Sequence, residues 1–90
     1  MAKKRPKQTR HFKNEKYLLA LGKHCRSLRK KAGLSVNKMA RQSERLSPSV
    51  ILRLEAGAGS ITISSLIRYA AVLNVHPSRL LNFEFAGDLD

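Results

Sequence analysis

LSVNKMARQSERLSPSVILRLEAG, residues Leu34 to Gly57, reads as two short helices joined by a tight polar link. Ser35 is placed to accept a hydrogen bond from a free amide at a helix start. Met39 and Ala40 then give that helix its apolar positions before the link Gln42 to Arg45. Ser47 is a second cap, and Pro48 sits at the first helical position, where its missing amide costs nothing. Ile51 and Leu54 recur at helical spacing toward Gly57, a helix terminator. Helices of roughly two turns are unstable alone, so flanking helices have to close a core around Met39, Ala40, Leu46, Ile51 and Leu54.

Upstream, Leu18, Leu21, Cys25 and Leu28 follow steps of three, four and three from about Asn14, the stripe of an amphipathic helix that Gly33 ends. Cys25 lies on that stripe as a small core hydrophobe, and its neighbour His24 falls off it. Downstream, AGAGS is a loop, and Thr62 caps a fourth helix whose stripe is Ile63, Leu66, Ile67, Ala70 and Leu73. His76 and Pro77 repeat the arrangement of cap and first-turn proline, opening a short fifth helix with Leu80 and Leu81. His76 is read as a cap or surface residue. The end, NFEFAGDLD, alternates Phe83 and Phe85 with polar residues and fits either a short strand or a frayed tail. The expectation is an all-α chain with a basic arm at 1–13, a helical domain at 14–82 and a tail at 83–90.

Ninety residues fill one domain with a modest core and leave no room to enclose a large cofactor. The net charge of +12 points to a polyanion, nucleic acid before anionic membrane. Residues 1–31 hold 12 of the 18 Lys and Arg against Glu15 alone, whereas residues 32–90 hold six basic and five acidic side chains. The arm MAKKRPKQTRHFK has too little apolar surface to offset the entropy of ordering. It is either a solvated tail or a segment that orders on a phosphate backbone.

A single cysteine excludes an intramolecular disulfide, and with His11, His24 and His76 it gives no zinc set. No cofactor or metal is expected. No apolar run approaches the roughly 20 residues of a membrane span, and polar residues follow the basic start where a signal peptide would be apolar. A cytoplasmic, nucleoid-associated chain is expected. No carboxylate pair, activated nucleophile or phosphate-cradling loop is present, so the chain is not read as an enzyme.

The ordered set Leu21, Cys25, Leu28, Arg29, Gly33, Leu34 and Ser35, then Met39 and Ala40, then Leu46, Ser47, Ile51, Leu54, Glu55 and Gly57, then Thr62, Leu66, Ala70, Leu73 and Val75 resembles the phage Cro and repressor type of helix-turn-helix domain, the XRE family. The resemblance spans roughly residues 21–81 and implies a five-helix, lambda-repressor-like fold. It further implies a DNA-binding transcriptional regulator, normally a homodimer on double-stranded DNA. The helix from Pro48 to Ala56 enters the major groove and the one from Val36 to Gln42 lies across the backbone. On this reading Ser35, Asn37 and Lys38 approach DNA from the first helix of the pair, and Ser47, Ser49, Val50 and Arg53 from the second. Arg53 suits a guanine edge or, equally, a phosphate, and Val50 suits a thymine methyl. Lys3, Lys4, Arg5, Lys7, Arg10 and Lys13 of the arm are the phosphate or minor-groove candidates. Arg29 and Glu55 occupy positions that form a structural ion pair in the family.

Three residues depart from the family's pattern. Val36 stands where Gln is usual, and Pro48 and Leu52 stand where polar side chains are common, leaving fewer groups to bond base edges and a larger share of affinity to phosphates. The second reading is an antitoxin or other protein-interaction module of the same fold, gripping a protein partner such as a toxin through residues 83–90 or the apolar inserted helix.

Overall fold

The structure is a computed structural model that describes residues 14–58 and 61–87; the arm, residues 1–13, lies outside the described residues. Four α-helices follow in order, α1 (Glu15–Lys31), α2 (Val36–Arg41), α3 (Pro48–Ala56) and α4 (Ile63–Leu73), with a 3-10 turn, η1 (Pro77–Leu81). The described residues form no strand.

Each element begins where a polar side chain takes up a free amide. Asn14 caps α1, Ser35 caps α2, Ser47 caps α3 and Thr62 caps α4, each accepting from the amide three residues on. The imidazole of His76 accepts the Ser78 amide in the same way, at 3.1 Å. The fifth element is a 3-10 turn and not an α-helix: five residues that open on proline are too few to propagate α-helical bonding.

The core gathers Leu21, Cys25, Met39, Leu46, Ile51, Leu54, Leu66, Tyr69, Ala70 and Leu80. Leu18 and Leu28, the outer members of the α1 stripe, and Ala40 of α2 are partly buried against it. The α4 stripe is rotated from the sequence reading. Leu66 and Ala70 are buried and Leu73 partly so, but Ile63 is 68% exposed and Ile67 48% exposed, and the wholly buried ring is Tyr69. At about 100° per residue, the centre of the buried face falls at Leu66 and Leu73, with Tyr69 on one side and Ala70 on the other, and Ile63 and Ile67 lie on the flank beyond Ala70.

His24, off the α1 stripe, is nonetheless used. Its Nε2 lies 2.8 Å from the Arg79 carbonyl and its ring 5.3 Å from that of Phe83. The rings of Phe83 and Phe85 stand 5.2 and 5.0 Å from Tyr17, so residues 82–87 are neither a strand nor a frayed end but an irregular segment folded onto α1.

Two glycines set how closely α1 and α3 approach. A Cβ on Gly22 would stand 2.4 Å from the Glu55 carbonyl oxygen, and one on Gly57, which has φ +68°, would stand 2.8 Å from the Leu19 backbone. Both obstacles are backbone, which cannot swing aside. We predict that Gly22→Ala separates the two helices and destabilises the chain by about 2 kcal/mol, a fall of roughly 10 °C in melting temperature; thermal unfolding followed by circular dichroism measures it.

Candidate nucleic-acid interface

The rotation of α3 follows from its own apolar residues. Ile51 and Leu54 are buried, and Val50 is half-buried against the same core. At about 100° per residue, Ser49 and Ala56 lie opposite that buried side, and Leu52 and Arg53 flank them on either shoulder. All four are exposed. Leu52 is 55% exposed, a large apolar side chain with no core to enter. Val50, taken from the sequence as an outward residue, is in fact turned partly inward, and Leu52 is the aliphatic group that the helix presents.

The start of α3 is tightly specified. Ser47 Oγ accepts the Val50 amide at 3.2 Å and lies 3.3 Å from Ser49 Oγ, while Pro48 opens the first turn and Gly57 ends the helix in the left-handed conformation. In α2, Ser35 Oγ accepts the Lys38 amide at 3.1 Å, and Asn37 and Lys38 are exposed. The link between the helices is anchored by buried Leu46, whose amide donates to the Ser43 carbonyl at 3.2 Å. Arg41 and Arg45, exposed beside it, are cations that the sequence reading left out. The candidates Lys3, Lys4, Arg5, Lys7, Arg10 and Lys13 fall outside the described residues.

What orients α3 is a polar cluster at its far end. Arg29 Nε and Nη2 donate to Glu55 Oε2 and Oε1 at 2.6 and 2.9 Å, and Nη1 donates to the Leu34 carbonyl at 2.8 Å. The two side chains are only 8% and 5% exposed. The Tyr69 hydroxyl stands 2.5 Å from Glu55 Oε2 and 3.0 Å from the Cys25 carbonyl. Its single proton goes to the charged acceptor, the stronger bond. Hydrogen bonding to Glu55 raises the Arg29 pKa against the opposing effect of burial. Burial, then the Glu55 hydrogen bond, pushes the Tyr69 phenol well above its usual range. Burial, with the Glu55 charge behind it, pushes the Cys25 thiol up to about 12, so it packs as a neutral group and is no nucleophile. The sequence reading missed Tyr69, because a tyrosine on a helix stripe shows where its ring goes but not which partner its hydroxyl finds.

The outward face of α3 offers a hydroxyl, a guanidinium and an isobutyl group, which suits both hydrogen bonding and apolar contact. Among the described residues, no three His, Cys, Asp or Glu side chains come together as a metal site. No described helix is long and apolar enough to cross a membrane. An open groove along α1 is lined by Lys23, Arg26, Ser27, Lys30 and Lys31, all on the face turned away from the core.

Removing the Glu55 charge would leave the nearly buried Arg29 cation unpaired. We predict that Glu55→Gln lowers the unfolding free energy by about 3 kcal/mol or more, and that Tyr69→Phe, which deletes one hydrogen bond, costs about 1–2 kcal/mol. Urea titration of both variants gives the two values; equal losses would show that the ion pair adds nothing beyond a neutral bond.

Comparison with known proteins agrees with this geometry. The helix-turn-helix family profile matches residues 26–80. Among solved structures, the restriction-modification controller protein C.AhdI from Aeromonas hydrophila is similar at TM-score 0.65 and 27% identity, over 70% of this chain and 94% of that one. The clp gene regulator ClgR from C. glutamicum is similar at TM-score 0.64 and 26% identity, over 72% and 82%. The DNA-binding domain of BldD is similar at TM-score 0.68 and 26% identity, over 76% and 97%. No curated protein sequence matches. With the family profile spanning the end of α1, both helices of the pair and α4, and with a controller protein, a gene regulator and a DNA-binding domain similar over the same scaffold, the chain belongs to the helix-turn-helix family in its XRE form.

Proposed function

We propose that the chain is a sequence-specific DNA-binding transcriptional regulator acting as a homodimer on double-stranded DNA in the cytoplasm, with α3 in the major groove. The observation that supports this best is the face of α3: it is clamped at its C-terminal end by the Arg29–Glu55 pair, yet Ser49, Leu52 and Arg53 are left exposed on its outward side. The matched helix-turn-helix family and the similar structures, a controller protein, a gene regulator and a DNA-binding domain, support the same reading.

On this reading Arg53 makes a bidentate contact to a guanine edge. Ser35, Asn37 and Lys38 approach the sugar-phosphate backbone, and Ser47 and Ser49 bond the groove edge at the start of α3. Lys3, Lys4, Arg5, Lys7, Arg10 and Lys13 extend the phosphate contact beyond the helix pair. The exposed Ile63 and Ile67 of α4, with half-exposed Leu81 on the adjoining η1, supply an apolar surface for the second copy.

Selection of bound duplexes from a random pool tests the reading directly. The expected outcome is a pair of symmetry-related half-sites about 10 base pairs apart, centre to centre, in which Arg53→Ala relaxes preference at one guanine by about 1–3 kcal/mol. Recovery of no enriched sequence would overturn it.

The arm gives a separate expectation. If about half of its six cations each neutralise a phosphate, deleting residues 2–13 flattens the slope of log affinity against log salt by nearly 3 for each subunit. Thermal stability should hardly change, because the core lies within residues 21–80. Parallel salt slopes for the full and shortened chains would leave the arm as a solvated tail, whose long-range attraction is screened over a Debye length of about 8 Å.

A further inference from the structure

We infer that Leu52 makes this chain a reader of the C5 methyl group of a pyrimidine, so that its DNA affinity responds to thymine and to cytosine C5 methylation at one position beside the guanine read by Arg53. The inference rests on the proposed placement of α3 in the major groove. Three observations lead to it. Leu52 is 55% exposed on the outward side of α3, although that helix buries its other large aliphatic side chains, Ile51 and Leu54, completely. Val50, the remaining branched side chain, is partly committed to the core, so the helix turns outward a single large apolar group. Arg53, the next residue, is also exposed and is the only long cationic side chain on α3.

The chemistry follows from what a major groove displays. Base edges there are donors and acceptors, apart from one apolar group, the C5 methyl of thymine. An isobutyl group can bond none of the polar edges. Against a cytosine edge it covers the N4 amine without a partner, and against a C5 methyl it removes apolar surface from water on both sides. Residues 52 and 53 leave the helix axis about 100° apart at nearly the same height, a divergence suited to neighbouring base pairs stacked about 3.4 Å apart. Leu52 therefore lies against the pyrimidine next to the guanine bonded by Arg53. The methyl of 5-methylcytosine projects from the same ring carbon as that of thymine, so it fills the same contact.

The test uses the full chain, the Leu52→Ala variant and the duplex obtained by random selection. Each thymine of the half-site is replaced in turn by deoxyuridine, which keeps the pairing and the hydrogen-bonding edges and lacks only the methyl. At one position adjacent to the Arg53-dependent guanine, the wild-type chain should lose about fourfold in affinity, the value of one buried methyl group, and Leu52→Ala should lose nothing. At that position 5-methylcytosine should bind the wild-type chain about fourfold more tightly than cytosine, with no difference for the variant. Because Leu52 is exposed, the variant should melt at the wild-type temperature. Uracil tolerated at every position, or a methyl effect that persists in Leu52→Ala, would overturn the inference and leave the DNA-binding reading intact. Failure of the random pool to yield any enriched duplex would overturn both.

Discussion

The structure depends on one carboxylate. Glu55 takes two bonds from Arg29 and one from Tyr69, and so joins α1, α3 and α4 at a single buried point. Desolvating two charges is costly, and an apolar replacement of the whole cluster could be as stable. What the cluster supplies is geometry. A bidentate pair fixes orientation as well as distance, and the third donor from Arg29, to the Leu34 carbonyl, ties the same guanidinium to the loop that leads into α2. A helix of nine residues would otherwise pivot about its two buried aliphatic side chains. With its last turn held against Gly22 and by Arg29, its direction and rotation are both set, and the outward face is determined by what remains.

Much of this fold was legible. Caps and apolar spacing located four helices with ends within about a residue, because each cap side chain has one local task that no distant contact can override. The Arg29 and Glu55 positions were readable through resemblance, since their separation of 26 residues carries no local signal. The errors have a common physical form. Ile63 and Ile67 were assigned inward because isoleucine is apolar, but burial on α4 depends on where α1 and α3 lie, and the site nearest Glu55 goes to Tyr69, which has a hydroxyl to offer. Likewise His24 bonds the Arg79 carbonyl across 55 residues, a partner that exists only once η1 has folded back. The Val50 assignment differs, since counting rotation from Ile51 and Leu54 puts Val50 near the buried side and Leu52 away from it. That information was in the sequence all along.

The candidate surface divides between two kinds of interaction that scale differently. Residues 14–87 carry twelve Lys and Arg against four acidic side chains, before the arm's six cations are added. Apart from Arg29, the cations of α1 lie on its exposed faces. Such charge raises affinity for any duplex and discriminates little between sequences. The groups suited to discrimination are few: the Ser47 cap and the outward face of α3 together present two serine hydroxyls, one guanidinium and one isobutyl group.

That scarcity makes the rigidity of α3 matter more than it would for a helix lined with amides. A long polar side chain can find a second acceptor when its helix shifts, whereas a leucine displaced by about 1 Å from a methyl group forfeits up to half of the dispersion energy and replaces none of it. A bidentate guanidinium likewise keeps both bonds only within a narrow range of angles. The two side chains on the shoulders of α3 are thus the two whose groove contacts would tolerate least movement, and Glu55, the acidic partner in the ion pair that restrains the helix, lies three and two residues beyond them in the chain. The order Leu52, Arg53, Leu54, Glu55 places outward contact and inward anchor within a single turn, so that any contact energy gained at the face is realised without first having to order the helix.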